Sequence, residues 1–265
     1  MPVEPKPAAS VLLIRPGRSV PIEVFVIRRA RGMRFLAGYF AFPGGKVDLA
    51  DRTAEALGRA RGLSPAAAAR AIDDPIDEVP PLAYWIAAVR EVFEETGMLL
   101  ATDAAGRPLD AREPALAARI ESGRRALVRG DCSFPALLAA EGWFADLGPL
   151  AYLAQFVTPP ASPIRFAARF FLCPVPPGQA PRAHAEEASE GFWVDPATAY
   201  RRFRAGEWPM AEPAEYGTQY LAQFESYEAV WRHHADGRAK FQGIIDRLDA
   251  TRYYRFDWST VVRPA

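Results

Sequence analysis

Three glutamates, Glu91, Glu94 and Glu95, lie within five residues and follow directly on Arg90. Helical spacings of three and four place Glu94 and Glu95 beside Glu91, so the three carboxylates share one patch. Like charges at that spacing cost about 0.2 to 0.5 kcal/mol per pair. A wet helix face tolerates this, and a hard, oxygen-seeking cation such as Mg²⁺ turns it into a gain. The residues alone therefore leave two readings open: a solvated acidic face, or one side of a divalent-cation site.

The element that must carry these acids is a helix ending at Gly97. At about 100° per residue, Trp85, Ile86, Val89, Val92, Phe93 and Thr96 fall in one arc, the expected buried face, while the acids occupy another. Gly97 suits the left-handed position that closes a helix. Upstream lies Phe42-Pro43-Gly44-Gly45. A Gly-Gly pair lets backbone amides and carbonyls approach an ion or phosphate, because no Cβ intervenes.

Residues 45–51 (GKVDLAD) and 90–98 (REVFEETGM) together resemble the Nudix box. Nudix hydrolases use this loop-helix-loop to bind Mg²⁺ or Mn²⁺ and cleave nucleoside diphosphates linked to another moiety. The second half fits at every defined position. The first departs twice: Asp51 stands where the family has glutamate, and the usual seven-residue spacer has grown to residues 52–89. A shorter carboxylate can support the loop, but direct metal contact is not expected of Asp51. A second pattern, Arg29-Ala30, Arg34, Gly38 and then residues 42–45, resembles the motif preceding the box in coenzyme A diphosphatases of the superfamily. Its opening is Phe25-Val26-Ile27 where Leu-Leu-Thr is usual. The long insertion and the C-terminal extension resemble the peroxisomal coenzyme A-hydrolysing branch, and the resemblance covers roughly residues 9 to 235.

The resemblance implies an α/β fold, the Nudix α/β/α sandwich with a mixed sheet. A helical insertion at 52–83 lies inside a hydrolase domain of residues 1–195, and a helical extension, 196–265, packs on the same domain. Strands are expected at 10–15 and 22–27 around Pro16-Gly17, at 39–42, at 98–101, at 150–158 and at 166–173. Two short helices are expected within 53–77, whose roles range from solvated decoration to a homodimer contact or a wall of the substrate pocket. Residues 197–205 and 215–233 read as helices, with an irregular 208–213 between them because proline continues neither. Residues 253–258 suggest a terminal strand.

The resemblance assigns Glu94 and Glu95 as metal ligands, Glu91 as ligand or base, the Gly45 carbonyl as a further ligand, and Arg90 as the cation holding the acidic turn. It places Arg29, Arg34, Gly44 and Lys46 in substrate binding, with an ordinary basic loop as the competing reading of the two arginines. Among the loop acids Glu186, Glu187 and Glu190, the last is taken as a catalytic carboxylate, against an exposed-loop alternative. The implied reaction is hydrolysis of coenzyme A or acyl-coenzyme A to 3′,5′-ADP and 4′-phosphopantetheine with Mg²⁺ or Mn²⁺. Alternatives are ADP-ribose, NADH or another nucleoside diphosphate derivative, and a nucleotide-sensing module without turnover.

Composition agrees with an ordinary soluble enzyme. The 32 basic residues balance the 32 acidic ones across 265 residues, so no global basic field marks a general nucleic-acid binder, and RNA decapping is unfavoured. Cys132 and Cys173 are too few for a disulfide framework or zinc site, and a reducing cytoplasm fits them. No apolar stretch reaches the ~20 residues that span a bilayer, and neither a signal segment nor a peroxisomal-type C-terminus is read. His184, His233 and His234 lack metal-ligand spacing and are expected to be solvated.

Overall fold

A computed structural model describes residues 3–33, 35–72, 78–184 and 188–234. Arg34, Glu186, Glu187 and the expected terminal strand at 253–258 lie outside the described residues.

The strands are β1 (Lys6–Pro16), β2 (Ile22–Arg29), β3 (Phe40–Ala41), β4 (Gly44–Lys46), β5 (Ala60–Arg61), β6 (Ala101–Thr102), β7 (Phe144–Asp146), β8 (Ala151–Val157), β9 (Phe166–Pro174) and β10 (Ala188–Val194). The main sheet runs β10-β2-β1-β9-β8, with β3 on β2 and β4 on β1. β1 and β2 form the expected antiparallel hairpin, with Ile14 opposite Val24. β1 pairs in parallel with β9, Ala9 opposite Arg169, which makes the sheet mixed. β5, β7 and β6 form a second, three-stranded sheet.

The helices are α1 (Ala54–Gly58), α2 (Pro65–Ala71), α3 (Pro81–Thr96), α4 (Pro114–Val128), α5 (Phe134–Glu141), α6 (Pro196–Arg204), α7 (Glu212–Leu221) and α8 (Tyr227–His234). They take opposite faces of the main sheet, which strand alternation explains. Along β1, Val11 and Leu13 join α3 and the insertion in one core, while Leu12 and Ile14 join Trp208, Met210, Tyr220 and Val230 in the other. A sheet buried on both faces reads as a continuous apolar run, as residues 11–14 do. The result is a three-layer α/β/α sandwich.

Three expected elements differ. Of the expected 98–101 strand only Ala101 joins a ladder, at the start of β6. The Gln179 side chain takes the partner's place at Leu99, donating to its carbonyl and accepting from its amide, both at 3.0 Å. The expected helix 215–233 is two helices, because Ser226 Oγ accepts from Ala229 N and starts α8 afresh. Pro213 lies in the first turn of α7, where its missing N–H costs nothing.

Candidate active site

Helix α3 carries the acids, and it is buried nearly all round. Ala87, Ala88, Val89, Val92 and Phe93 are fully enclosed, and so are Glu91 at 7% and Glu95 at 4% exposure. The acidic arc is therefore no wet face. Strand β4 lies against both acids, the insertion's Ala56, Ala68 and Ile72 join the core around α3, and a 3₁₀ turn at Ala50–Arg52 brings Asp51 against it. Thr53 and Ser64 cap α1 and α2 through their side chains, so the inserted chain has its own start signals. The apolar side chains of the insertion are committed to the same chain's core.

Arg90 is the hub. Its Nη2 donates to Asp51 Oδ2 at 2.9 Å and to the Lys46 carbonyl at 2.7 Å, and its Nε donates to Asp51 Oδ1 at 3.1 Å. Nη1 donates to Glu91 Oε1 at 2.8 Å and to Glu94 Oε1 at 3.2 Å. Burial works to lower the guanidinium pKa, but Glu91, Asp51 and Glu94 outweigh it and hold the pKa above its ordinary value. The arginine stays charged. Asp51 is wholly buried and also accepts from Asp48 N at 2.8 Å, so it ties the two halves of the box together across the long spacer.

The glycine loop meets the same helix. Gly44 N donates to Glu95 Oε2 at 2.9 Å. A Cβ at Gly45 would stand 2.5 Å from Glu91 Oε1, so only glycine lets β4 lie against that carboxylate. Gly97 closes α3 at φ 73°, and a side chain there would also strike His184 Nε2. The last carbonyls of α3, which a helix leaves without internal partners, all find external ones. Glu94 O accepts from Arg124 Nη1 at 3.1 Å. Glu95 O accepts from His184 N at 3.2 Å, and Thr96 O from Arg182 N at 3.0 Å.

A cleft of about 440 Å³ opens at this turn. Asp48, Ala50, Arg90, Glu94 and Glu95 form one side, and Leu127, Val128, Cys132, Ser133 and Phe134 of the α4–α5 unit face them, with His184 at the margin. Glu91 and Gly45 are not among the cleft-lining residues. Arg29 donates from Nε to the Phe35 carbonyl at 3.2 Å, and Lys46 touches the network through its backbone. Glu190 is exposed in β10, in register with Arg28 and 3.8 Å from it. The described sheet places it beside that arginine and not among the cleft-lining residues.

The α4–α5 wall and His184 are what sequence reasoning missed. Ser133 caps α5, Pro135 sits in its first turn and Gly142 closes it in the left-handed region, a start-and-stop pattern that would have revealed the helix. His184 carried no local signal, since a loop brings it in.

The donors suit a hard divalent cation. Among the described residues no group of three His, Cys, Asp or Glu side chains is disposed to hold a metal. Mg²⁺ needs no such cage: it commonly takes one or two carboxylates, completing its shell with water and substrate phosphate. Glu94 and Glu95, which both line the cleft, fit that requirement.

The sandwich and the box split by its long spacer define a Nudix fold. A Nudix hydrolase from Alicyclobacillus acidocaldarius superposes with a TM-score of 0.71 at 34% identity, covering 85% of this chain and 95% of that one. The chain belongs to the NUDT19 Nudix domain family, whose sequence model matches residues 6–221. It is 29% identical to the acyl-coenzyme A diphosphatase NUDT19 of Gallus gallus, over 86% of this chain and 71% of that protein. It is 31% identical to the Homo sapiens protein of the same name, over 80% and 64% of the respective lengths. Nudix hydrolases are in general divalent-metal dependent. No helix among the described residues is long and apolar enough to cross a membrane.

Proposed function

We propose that this protein is a Mg²⁺- or Mn²⁺-dependent diphosphatase that cleaves coenzyme A or acyl-coenzyme A to 3′,5′-ADP and the corresponding 4′-phosphopantetheine. The observation carrying the reaction class is the pair Glu94 and Glu95 at the cleft wall, fixed from behind by Arg90 and by Gly44 N. The names of the relatives and the basic pattern around Arg29 and Arg34 support the substrate.

A diphosphate is strongly anionic, and the cation supplies the charge neutralisation its oxygens need. Glu94 and Glu95 would hold it, with Glu91 and the Gly45 carbonyl as further donors. Arg90 holds the carboxylates in place by charge-assisted bonds. Glu91, or one of the acids Glu186, Glu187 and Glu190, is the candidate base. Arg29, Arg34, Gly44 and Lys46 are assigned to the substrate's phosphates. Residues 1–195 form the hydrolase unit, and the described part of the extension, helices α6 to α8, packs on the far face of its sheet. The two unbonded cysteines suit a cytoplasmic protein.

A panel of coenzyme A, dephospho-coenzyme A, acyl-coenzyme A, ADP-ribose and NADH, incubated with Mg²⁺ and resolved by mass, tests the reading. Coenzyme A cleavage that falls by orders of magnitude in Glu94→Gln and in Glu95→Gln is expected. Near-normal turnover in both variants removes the pair from the mechanism. Preference for ADP-ribose or NADH overturns the substrate, and absence of any metal-dependent turnover favours a sensing module.

A further inference from the structure

Arg124 lies outside the box, in α4, yet its guanidinium ends on the acidic turn. Nη1 donates to the Glu94 carbonyl at 3.1 Å, while Nε and Nη2 donate to the two carboxylate oxygens of Glu121 at 3.0 and 3.2 Å. The residue is only 4% exposed. Its charge is matched to the place, since the C-terminal carbonyls of a helix carry the negative end of the dipole. Glu121 is held down at about 2, chiefly by its bond from Arg124, and so stays ionised. That pairing occupies one edge of the guanidinium and leaves the other for the helix end.

The carbonyl that Arg124 grips and the carboxylate that lines the cleft belong to the same residue. Fixing the Glu94 carbonyl fixes its Cα and the direction from which its side chain leaves the helix. The same α4 carries Leu127 and Val128, one turn on, to the facing side of the cleft. A single side chain thus ties the acid wall to the wall opposite.

We propose that Arg124 is a positioning residue that sets the place of Glu94, and hence the affinity of the cleft for a divalent cation, with Glu121 orienting it. The proposal rests on the reading of Glu94 as a metal ligand. Partners that orient metal ligands typically contribute tenfold to a hundredfold in affinity.

Mn²⁺ titration of the full-length protein without substrate, followed by electron paramagnetic resonance, reads this apart from turnover. Arg124→Gln, confirmed folded by circular dichroism, is expected to weaken Mn²⁺ binding by about tenfold or more. Arg124→Lys should retain part of the affinity, because an ammonium can reach one acceptor but not fork between two. Glu121→Gln should shift in the same direction, and the double variant should bind no worse than Arg124→Gln alone. Wild-type Mn²⁺ affinity in a folded Arg124→Gln overturns the proposal. If that variant does not fold, unchanged affinity in both Arg124→Lys and Glu121→Gln overturns it equally. A wild-type protein that binds no Mn²⁺ defeats the metal reading itself, and the brace with it.

Discussion

Replacing Asp51 by asparagine probes the join between the two halves of the box. Asp51 Oδ2 receives Asp48 N at 2.8 Å and Arg90 Nη2 at 2.9 Å, and Oδ1 receives Arg90 Nε at 3.1 Å. Asparagine has the same shape but one oxygen. Keeping that oxygen at the Oδ2 position preserves the bonds from Asp48 N and Arg90 Nη2 and a longer one from Nε at 3.3 Å, and turns the amide N–H₂ toward Nε–H, donor against donor. One charge-assisted bond, worth about 1.5 to 3 kcal/mol, is lost. Glu91 and Glu94 still accompany Arg90, so the cost stays below the ~3 to 5 kcal/mol of a fully orphaned buried ion. We expect a destabilisation of about 2 to 4 kcal/mol, lowering the Tm by about 4 to 16 °C for a chain of this size. Asp51→Glu, which restores the residue usual in the family, adds a methylene where no surface is exposed and should itself cost about 1 to 3 kcal/mol. Urea denaturation followed by circular dichroism measures both. An asparagine variant within about 0.5 kcal/mol of wild type, the scatter of ordinary surface changes, would refute the view that Asp51 and Arg90 hold the box together.

Other expectations follow from single contacts. Gly45→Ala places a Cβ 2.5 Å from Glu91 Oε1; displacing that carboxylate should cut turnover by about a hundredfold in folded protein, and wild-type turnover would show that the close approach does not matter. Burial pushes the Glu215 carboxyl up to about 7 from an ordinary 4.5, with Arg204 opposing and Glu212 adding. The folded state therefore keeps this proton longer than the unfolded chain does. Its contribution to stability is fully present below about pH 4.5 and is lost as pH rises through about 7. Glu215→Gln should therefore flatten the stability profile across that window and raise Tm at pH 8, where an unchanged profile would count against the shift.

The parts legible in the sequence are those whose signal is local. The acids, Arg90 and the Gly97 stop share one helix, and the apolar run of β1 is a strand in any context. Burial of Glu91 and Glu95 was not legible, because helical periodicity registers the face that packs on the sheet, whereas the glycine loop at Gly44 and Gly45 meets these two acids only through the fold. The pairing of β5 with β7 rests on two residues from each strand and carries no pattern of its own. Gln179 replacing a strand partner at Leu99, and Arg124 reaching the end of α3, depend on tertiary approach alone.

The small sheet gives the enlarged spacer a meaning beyond length. Ala60 of the insertion pairs in parallel with Ala145, and Ala101, just beyond the box helix, pairs with Ala145 from the other side. Trimming the spacer to the usual seven residues would strip β7 of a neighbour and uncover the core around α3 in one stroke. The insertion is thus a keystone of the box, and the usual short spacer could not be installed here by deletion alone.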